Sequence, residues 1–235
     1  MATLGHTVKA FDDDLGELRA LVAEMGGLAE AAIDGSIEAL MRRDLDAAAR
    51  IVDEDRRIDA LEAELERRVL RLFALRSPLA DDLREVLAAL KISGVIERIG
   101  DYAKNIAKRV PLLHDAREIK PVAILPAMAS AVSEMVHDVL DAFAARDAQA
   151  AIEVCRRDTK VDDLYNSLFR ALLTYMMENP GNIGASAHLL FIAKNLERIG
   201  DHATNAAEMI YFAATGEQMT ERSRGADALA PTEDR

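Results

Sequence analysis

Residues 97–108 read ERIGDYAKNIAK and residues 197–208 read ERIGDHATNAAE, so eight of twelve positions are identical at an offset of 100 residues. Two other landmarks recur 103 residues apart, namely Arg43-Asp44 as Arg146-Asp147 and Asp55-x-x-x-Asp59 as Asp158-x-x-x-Asp162. Self-similarity at a fixed period is typical of a fold that is built from copies of one structural unit. The sequence therefore predicts two copies of one unit, with three residues lost within the second copy.

Each copy has the pattern of three helices. Helix-forming residues dominate, apolar residues recur at helical spacing, and no Val/Ile/Thr-rich alternating strand is present. Ser77 and Pro78 are typical of an N-cap and a first helical residue. The fourth helix either begins at Pro126 or begins near Pro121 and is kinked. The predicted helices span about 11–42, 45–75, 78–112, 122–145, 148–178 and 183–214.

These helices predict an all-α fold of two tandem antiparallel three-helix bundles, related by the internal repeat and joined end to end. The first bundle is expected at 11–112 and the second at 116–215. A short N-terminal segment at 1–10 and a disordered polar tail at 216–235 complete the expected organisation.

Composition excludes several functional classes. The 235 residues include 41 Asp and Glu against 29 Lys and Arg, which gives a formal charge of −12. Such a field repels nucleic acid and anionic lipid. The N-terminus has no signal-peptide pattern, and no apolar run approaches the roughly 20 residues of a membrane span. The single cysteine excludes an internal disulfide. We expect a cytoplasmic protein.

Acidic pairs are the most distinctive chemical feature. Glu97 and Asp101 are spaced i,i+4 and share one helix face, with Ile99 on the opposite face. The isoleucine is expected in the core, and the acids are expected to point outward. The same spacing occurs in Asp55/Asp59, Asp158/Asp162 and Glu197/Asp201.

Two such pairs in each bundle suggest a metal site. Consecutive antiparallel helices are neighbours, so level pairs would bring four carboxylates together. Four carboxylates cannot all stay ionised cheaply without a cation. Oxygen ligands suit Mg²⁺, Mn²⁺ or Ca²⁺, and bridging carboxylates also suit iron. Further ligands, or hydrogen-bond partners of ligands, are Glu62, Asn105, His202, Asn205 and Glu208. The alternative is a solvated acidic face, because one acid pair costs only about 0.2–0.5 kcal/mol.

No P-loop, dinucleotide fingerprint, nucleophile elbow or kinase motif is present, so no enzyme activity is expected. Arg98 and Arg198 are interpreted as surface residues rather than as anion ligands. Gly100 and Gly200 lower helix stability relative to alanine, and the close approach of another helix would explain them.

At these motifs the chain resembles the PhoU family, the phosphate-transport accessory and regulatory proteins of bacteria. The resemblance covers roughly residues 11–215. It is most specific at 97–101 and 197–205, and Pro78 with Asp82-Leu83-Arg84 is also similar to the family pattern. It implies two three-helix bundles in a cytoplasmic, often dimeric protein.

The resemblance also implies a function. Family members repress the phosphate-starvation response and link the ATP-binding subunit of a phosphate ABC transporter to a membrane sensor histidine kinase. This protein would then meet the membrane only through those partners. Multinuclear iron or zinc would bind at acid-x-x-x-Asp motifs, which here are Asp55/Asp59, Glu97/Asp101, Asp158/Asp162 and Glu197/Asp201.

One departure from the repeat bears on the metal. Lys108 occupies the position in the first copy that Glu208 occupies in the second, so the first bundle is expected to hold a cation more weakly or not at all. The alternative function is a metal-storage protein or a metal-dependent phosphate enzyme that uses the same acidic patches.

Overall fold

The computed structural model describes residues 2–76, 78, 80–116 and 120–219, and these residues contain helices and no strand. The all-α prediction is confirmed. The helices are α1 (Ala2–Arg42), α2 (Leu45–Arg76), α3 (Ala80–Ala107), α4 (Val110–Leu113), α5 (Leu125–Ala145), α6 (Ala148–Glu178) and α7 (Ile183–Thr215), with 3-10 turns at Lys120–Ile124 and Pro180–Asn182.

The two bundles lie side by side. Helices α1, α2 and α3 pack together, as do α5, α6 and α7, and α3 also packs along α7 while α1 packs along α5. The expected end-to-end arrangement is therefore wrong. Its physical cause is that α3 and α7 bury residues on more than one face, including Ala103 and Ala203.

Helices α3 and α7 run antiparallel to each other. The hydroxyl of Tyr102 lies 3.3 Å from Nε2 of His202, and Arg109 reaches His188 near the other end of the contact. Tyr102 and His202 occupy equivalent positions of the two copies. Equivalent residues of the two repeats therefore contact each other where α3 packs on α7.

Matching turns start the second helix of each bundle. Arg43 and Arg146 both adopt a left-handed conformation, with φ of 55° and 54°. Asp147 then caps α6, because its Oδ1 accepts hydrogen bonds from the amides of Gln149 and Ala150. Both breaks coincide with those predicted from the sequence.

Proline accounts for the main differences in helix bounds. The third helix was expected to continue to 112 but ends at Ala107, because Pro111 has no N–H for a bond to that carbonyl and its ring would clash there. Residues 110–113 form the separate α4. Pro126 lies in the first turn of α5, which decides between the two alternatives for the fourth helix.

Other bounds differ at the helix starts. Helix α1 begins at Ala2 rather than at 11, and α3 begins at Ala80 rather than at 78. The predicted cap Ser77 lies outside the described residues. Residues 216–219 follow α7 without helix, and the rest of the predicted tail, 220–235, also lies outside the described residues.

One segment meets the length and composition of a membrane span, contrary to the expectation from apolar runs. A stretch of 18 residues within 120–145 has a mean hydropathy of 1.3. Within this segment Met128, Val132 and Met135 are fully buried in the core of the second bundle. A buried core helix explains the apolar composition, so the segment is weak support for a membrane span.

Candidate functional site

The first acidic cluster lies where α2 faces α3. Helix α2 supplies Asp55 and Asp59, and α3 supplies Glu97 and Asp101. Burial raises the pKa of Glu97, and the charges of Asp101, Glu62 and Asp59 raise it further. Burial and the charges of Asp55 and Asp101 likewise raise the pKa of Asp59. The fold therefore brings the two predicted pairs and Glu62 into mutual electrostatic contact.

Not all of these acids point outward. Asp55 is only 7% exposed, so the expectation of an outward carboxylate is wrong for this residue. Asp55 lies on the α2 face that carries Ile51 and Ile58, where α3 comes close. A buried carboxylate requires a partner, because an uncompensated charge away from water is costly.

That partner is Lys104. Its Nζ lies 2.5 Å from Oδ2 of Asp55 and 2.5 Å from Oδ1 of Asp101, so one ammonium bridges α2 and α3. Burial opposes the charge on Lys104, but hydrogen bonds to Asp101 and Asp55 outweigh that effect and raise its pKa. The sequence analysis missed Lys104, although its i+3 spacing from Asp101 places both on one helix face.

The second acidic cluster occupies the equivalent place between α6 and α7. It contains Asp158 and Asp162 on α6 with Glu197 and Asp201 on α7. Burial raises the pKa of Glu197, and the charges of Asp201 and Asp162 raise it as well, against the effect of Lys194. Glu197, Asp201 and Asp162 therefore lie close together here too, and Oδ1 of Asp158 lies beside Gly200, the neighbour of Asp201 in the sequence.

Glu197 is incompletely satisfied. Lys194 donates to its Oε1 at 2.5 Å, whereas its Oε2 is buried with no hydrogen-bond partner among the described residues. Lys194 lies at the edge of the cluster with 43% of its side chain exposed. A buried carboxylate oxygen without a partner is costly, and a bound cation would relieve that cost.

Glycines bring the helices of each cluster together, as predicted. A Cβ at Gly100 would lie 2.8 Å from Cδ1 of Ile58 and 3.4 Å from Oδ1 of Asp55. A Cβ at Gly200 would lie 3.1 Å from Oδ1 of Asp158. Each glycine therefore lets an aspartate of the preceding helix lie against the α3 or α7 backbone.

The additional candidates are spread around the clusters. Asn105 is exposed, and Asn205 and Glu208 are half-buried on α7. His202 packs against Tyr102 with ring centroids 5.4 Å apart, and burial lowers its pKa, so it is neutral at pH 7. Its contact with Tyr102 agrees with a packing role at the junction of the bundles.

The two clusters differ in how well they fit a metal ion. Among the residues that the structure describes, no group of three or more Asp, Glu, His or Cys side chains is arranged to hold a metal as the helices stand. In the first cluster Lys104 already lies between the carboxylates, so these residues do not fit a metal. In the second cluster Oε2 of Glu197 is buried without a hydrogen-bond partner among the described residues, although the acids there are likewise not arranged to hold a metal as the helices stand.

Two features away from the clusters had no sequence prediction. A groove of about 700 Å³ lies between parts of α1 and α5, and its lining includes the acids Glu30, Asp34 and Glu134. Burial raises the pKa of Glu30 and of Asp34. Near the N-terminal end of α3, the buried Glu85 pairs with Arg19 of α1 and with Arg146, which follows α5. These pairs connect the first bundle to the second.

Comparison with known proteins covers nearly the whole chain. The model of the PhoU domain matches residues 22–110 and 125–210. A phosphate-specific transport system accessory protein PhoU homolog of Zymomonas mobilis is 63% identical over 227 residues, which are 97% of this chain and 96% of that protein. The homolog of Caulobacter vibrioides is 49% identical over 226 residues, covering 96% and 98%.

Solved structures agree with this match. The crystal structure of PhoU from Pseudomonas aeruginosa superposes with a TM-score of 0.84 at 34% identity, covering 88% of this chain and all of that one. The phosphate transport system regulatory protein PhoU from Streptococcus pneumoniae superposes with a TM-score of 0.83 at 29% identity, covering 89% and 99%.

Proposed function

The chain belongs to the PhoU family, and we propose that it is a cytoplasmic accessory protein of phosphate transport that represses the phosphate-starvation response by contact with other proteins. Its partners in this proposal are the ATP-binding subunit of a phosphate ABC transporter and a membrane sensor histidine kinase. The protein acts as a homodimer and without turnover of a small molecule. The observation that carries the proposal is the match to accessory proteins along both repeats.

Electrostatics support a contact mechanism. The net charge is −12, and acids converge on both α2/α3 and α6/α7 as well as in the groove between α1 and α5. Such a field favours basic partner surfaces and speeds their encounter. The contacts should therefore weaken as salt rises. Exposed charges separated by more than one Debye length, about 8–10 Å at physiological salt, are largely screened, and this length shortens at higher salt.

Capture of partners tests this proposal. Tagged protein from phosphate-replete cells should retain the transporter ATP-binding subunit and the sensor kinase at low salt, and less of both at high salt. Glu54→Gln on the exposed face of α2 serves as a control, because it removes one charge outside both clusters. Failure to capture either partner at any salt concentration would contradict the contact mechanism.

We also propose that a divalent or trivalent metal, such as iron, zinc, manganese or magnesium, binds the second acidic cluster. Asp158, Asp162, Glu197 and Asp201 would supply its oxygen ligands. The support is the buried, unpartnered Oε2 of Glu197, whose pKa is raised by burial and also by the charges of Asp201 and Asp162. A bound metal would neutralise this face and stabilise the folded state by mass action.

Metal analysis tests this second proposal. Protein purified without chelator should contain metal, and Glu197→Gln/Asp201→Asn should lose most of it, whereas Glu54→Gln should retain it. Added Mn²⁺ or Zn²⁺ should raise the melting temperature of the wild type but not of the double variant. Equal metal content in the wild type and the double variant would contradict the site.

A further inference from the structure

The inference concerns Lys104 and its position between the two helices of the first cluster. Its ammonium lies 2.5 Å from a carboxylate oxygen of Asp55 on α2 and 2.5 Å from one of Asp101 on α3. The side chain is 19% exposed and Asp55 only 7%. Any cation that bridged these carboxylates would meet the ammonium at close range, and like charges at that distance repel strongly.

The second copy of the repeat provides the natural comparison. The position equivalent to Lys104 holds Thr204, which is buried and uncharged. Its hydroxyl donates to the backbone carbonyl of Asp201 at 2.7 Å, so its proton is used within α7. One lysine that contacts this cluster, Lys194, pairs with Glu197 from the edge of the cluster and is 43% exposed.

We infer that Lys104 is a built-in cation that takes the place of a metal ion in the first bundle. The two repeats then share one acidic framework, but a lysine bridges the carboxylates in the first bundle where the second bundle has the uncharged Thr204. The first bundle then folds whatever the metal supply, because the ammonium of Lys104 offsets part of its negative charge, and the metal proposed for the second bundle would change only the α6/α7 face. The inference rests on the proposed metal binding for its second half, whereas the role of Lys104 stands on its own geometry.

Exchange of residues between the repeats tests the inference. Lys104→Thr gives the first cluster the residue of the second, and Thr204→Lys does the reverse. Full-length proteins are stripped with chelator and titrated with Mn²⁺ and, separately, with Zn²⁺. The measurements are bound metal per chain and the shift in melting temperature. Lys104→Thr should bind additional metal, up to twice the wild-type amount, and Thr204→Lys should lose the wild-type binding.

Further variants keep the result interpretable if an exchange perturbs folding. Lys104→Thr leaves Asp55 buried without its ammonium, so its melting temperature should fall without metal and recover when Mn²⁺ is added. Lys104→Thr/Asp101→Asn should show neither the additional metal nor the recovery. Lys104→Gln keeps a hydrogen-bond donor and should also gain metal binding.

The outcomes separate this inference from the metal proposal for the second bundle. If neither Lys104→Thr nor Lys104→Gln binds more metal than the wild type, the inference is overturned. It is also overturned if the wild type loses metal on Glu97→Gln/Asp101→Asn. If the wild type binds no metal but Lys104→Thr does, the inference is supported and the second-bundle proposal fails.

Discussion

Replacement of Gly26 by alanine tests how the two bundles pack, and its neighbour Gly27 provides a matched control. A Cβ at residue 26 would lie 2.2 Å from Cδ1 and 2.9 Å from Cδ2 of Leu140 on α5. At Gly27 no described atom lies within 4 Å of the added Cβ. Both residues lie within α1, so the change in helix propensity is the same at the two positions.

The magnitudes follow from two opposing effects. Alanine in place of glycine within a helix stabilises by about 1 kcal/mol. An extra methyl group in a packed interface costs about 1–3 kcal/mol. Gly27→Ala should therefore stabilise by about 1 kcal/mol, whereas Gly26→Ala should range from neutral to destabilising by about 2 kcal/mol. The difference corresponds to about 2–12 °C in melting temperature for a chain of this size.

Thermal unfolding of both variants in metal-free buffer measures this difference. Gly26→Ala/Leu140→Ala removes the atoms that the new methyl group meets, so the penalty at residue 26 should largely disappear relative to Leu140→Ala alone. Equal stabilisation by Gly26→Ala and Gly27→Ala would refute the close packing of α1 on α5.

Two further predictions concern charged residues. Glu85→Ala should lower the free energy of unfolding by about 1–3 kcal/mol, because Arg19 and Arg146 lose the buried carboxylate that connects the bundles. Denaturant unfolding checks this. A loss below about 0.5 kcal/mol, the level of an ordinary surface change such as Glu54→Gln, would mean that the pairing contributes nothing to stability. The second is a pH dependence. The pKa of Glu197 is raised in the folded state, chiefly by burial, so the folded state binds more protons than the unfolded state just above the ordinary glutamate pKa of about 4.3. The contribution of Glu197 to the stability of the metal-free protein should therefore increase as pH falls from 7 into that range. Glu197→Gln should show a smaller gain in melting temperature over the same interval. A pH profile of the variant identical to that of the wild type would contradict the raised pKa.

Local patterns predicted much of the fold. The repeat and the two Arg-Asp breaks located three of the six long helices, α2, α6 and α7, to within two residues at both ends, because helix caps and prolines act over a few residues. Ile99 and Ile199 are buried as their spacing predicted. Pro111 was overlooked, and for that reason the end of α3 was placed five residues too late.

Local sequence patterns could not predict the contacts between parts of the chain that are distant in sequence. The side-by-side packing depends on contacts between α3 and α7, such as Tyr102 with His202, and the spacing within one helix cannot reveal that partner. The same holds for Lys104, whose partner Asp55 is 49 residues away. The acid pairs were recognised from i,i+4 spacing, but the lysine that bridges Asp55 and Asp101 in the first cluster was identified only from the structure.

A reporter of a phosphate-starvation promoter in a strain that lacks this protein tests the central claim most directly. A repressor that works by contact predicts that the deletion strain expresses the reporter strongly even in high phosphate, and that wild-type protein on a plasmid restores repression. Low reporter expression in the deletion strain in high phosphate would contradict the regulatory function and would favour metal storage instead.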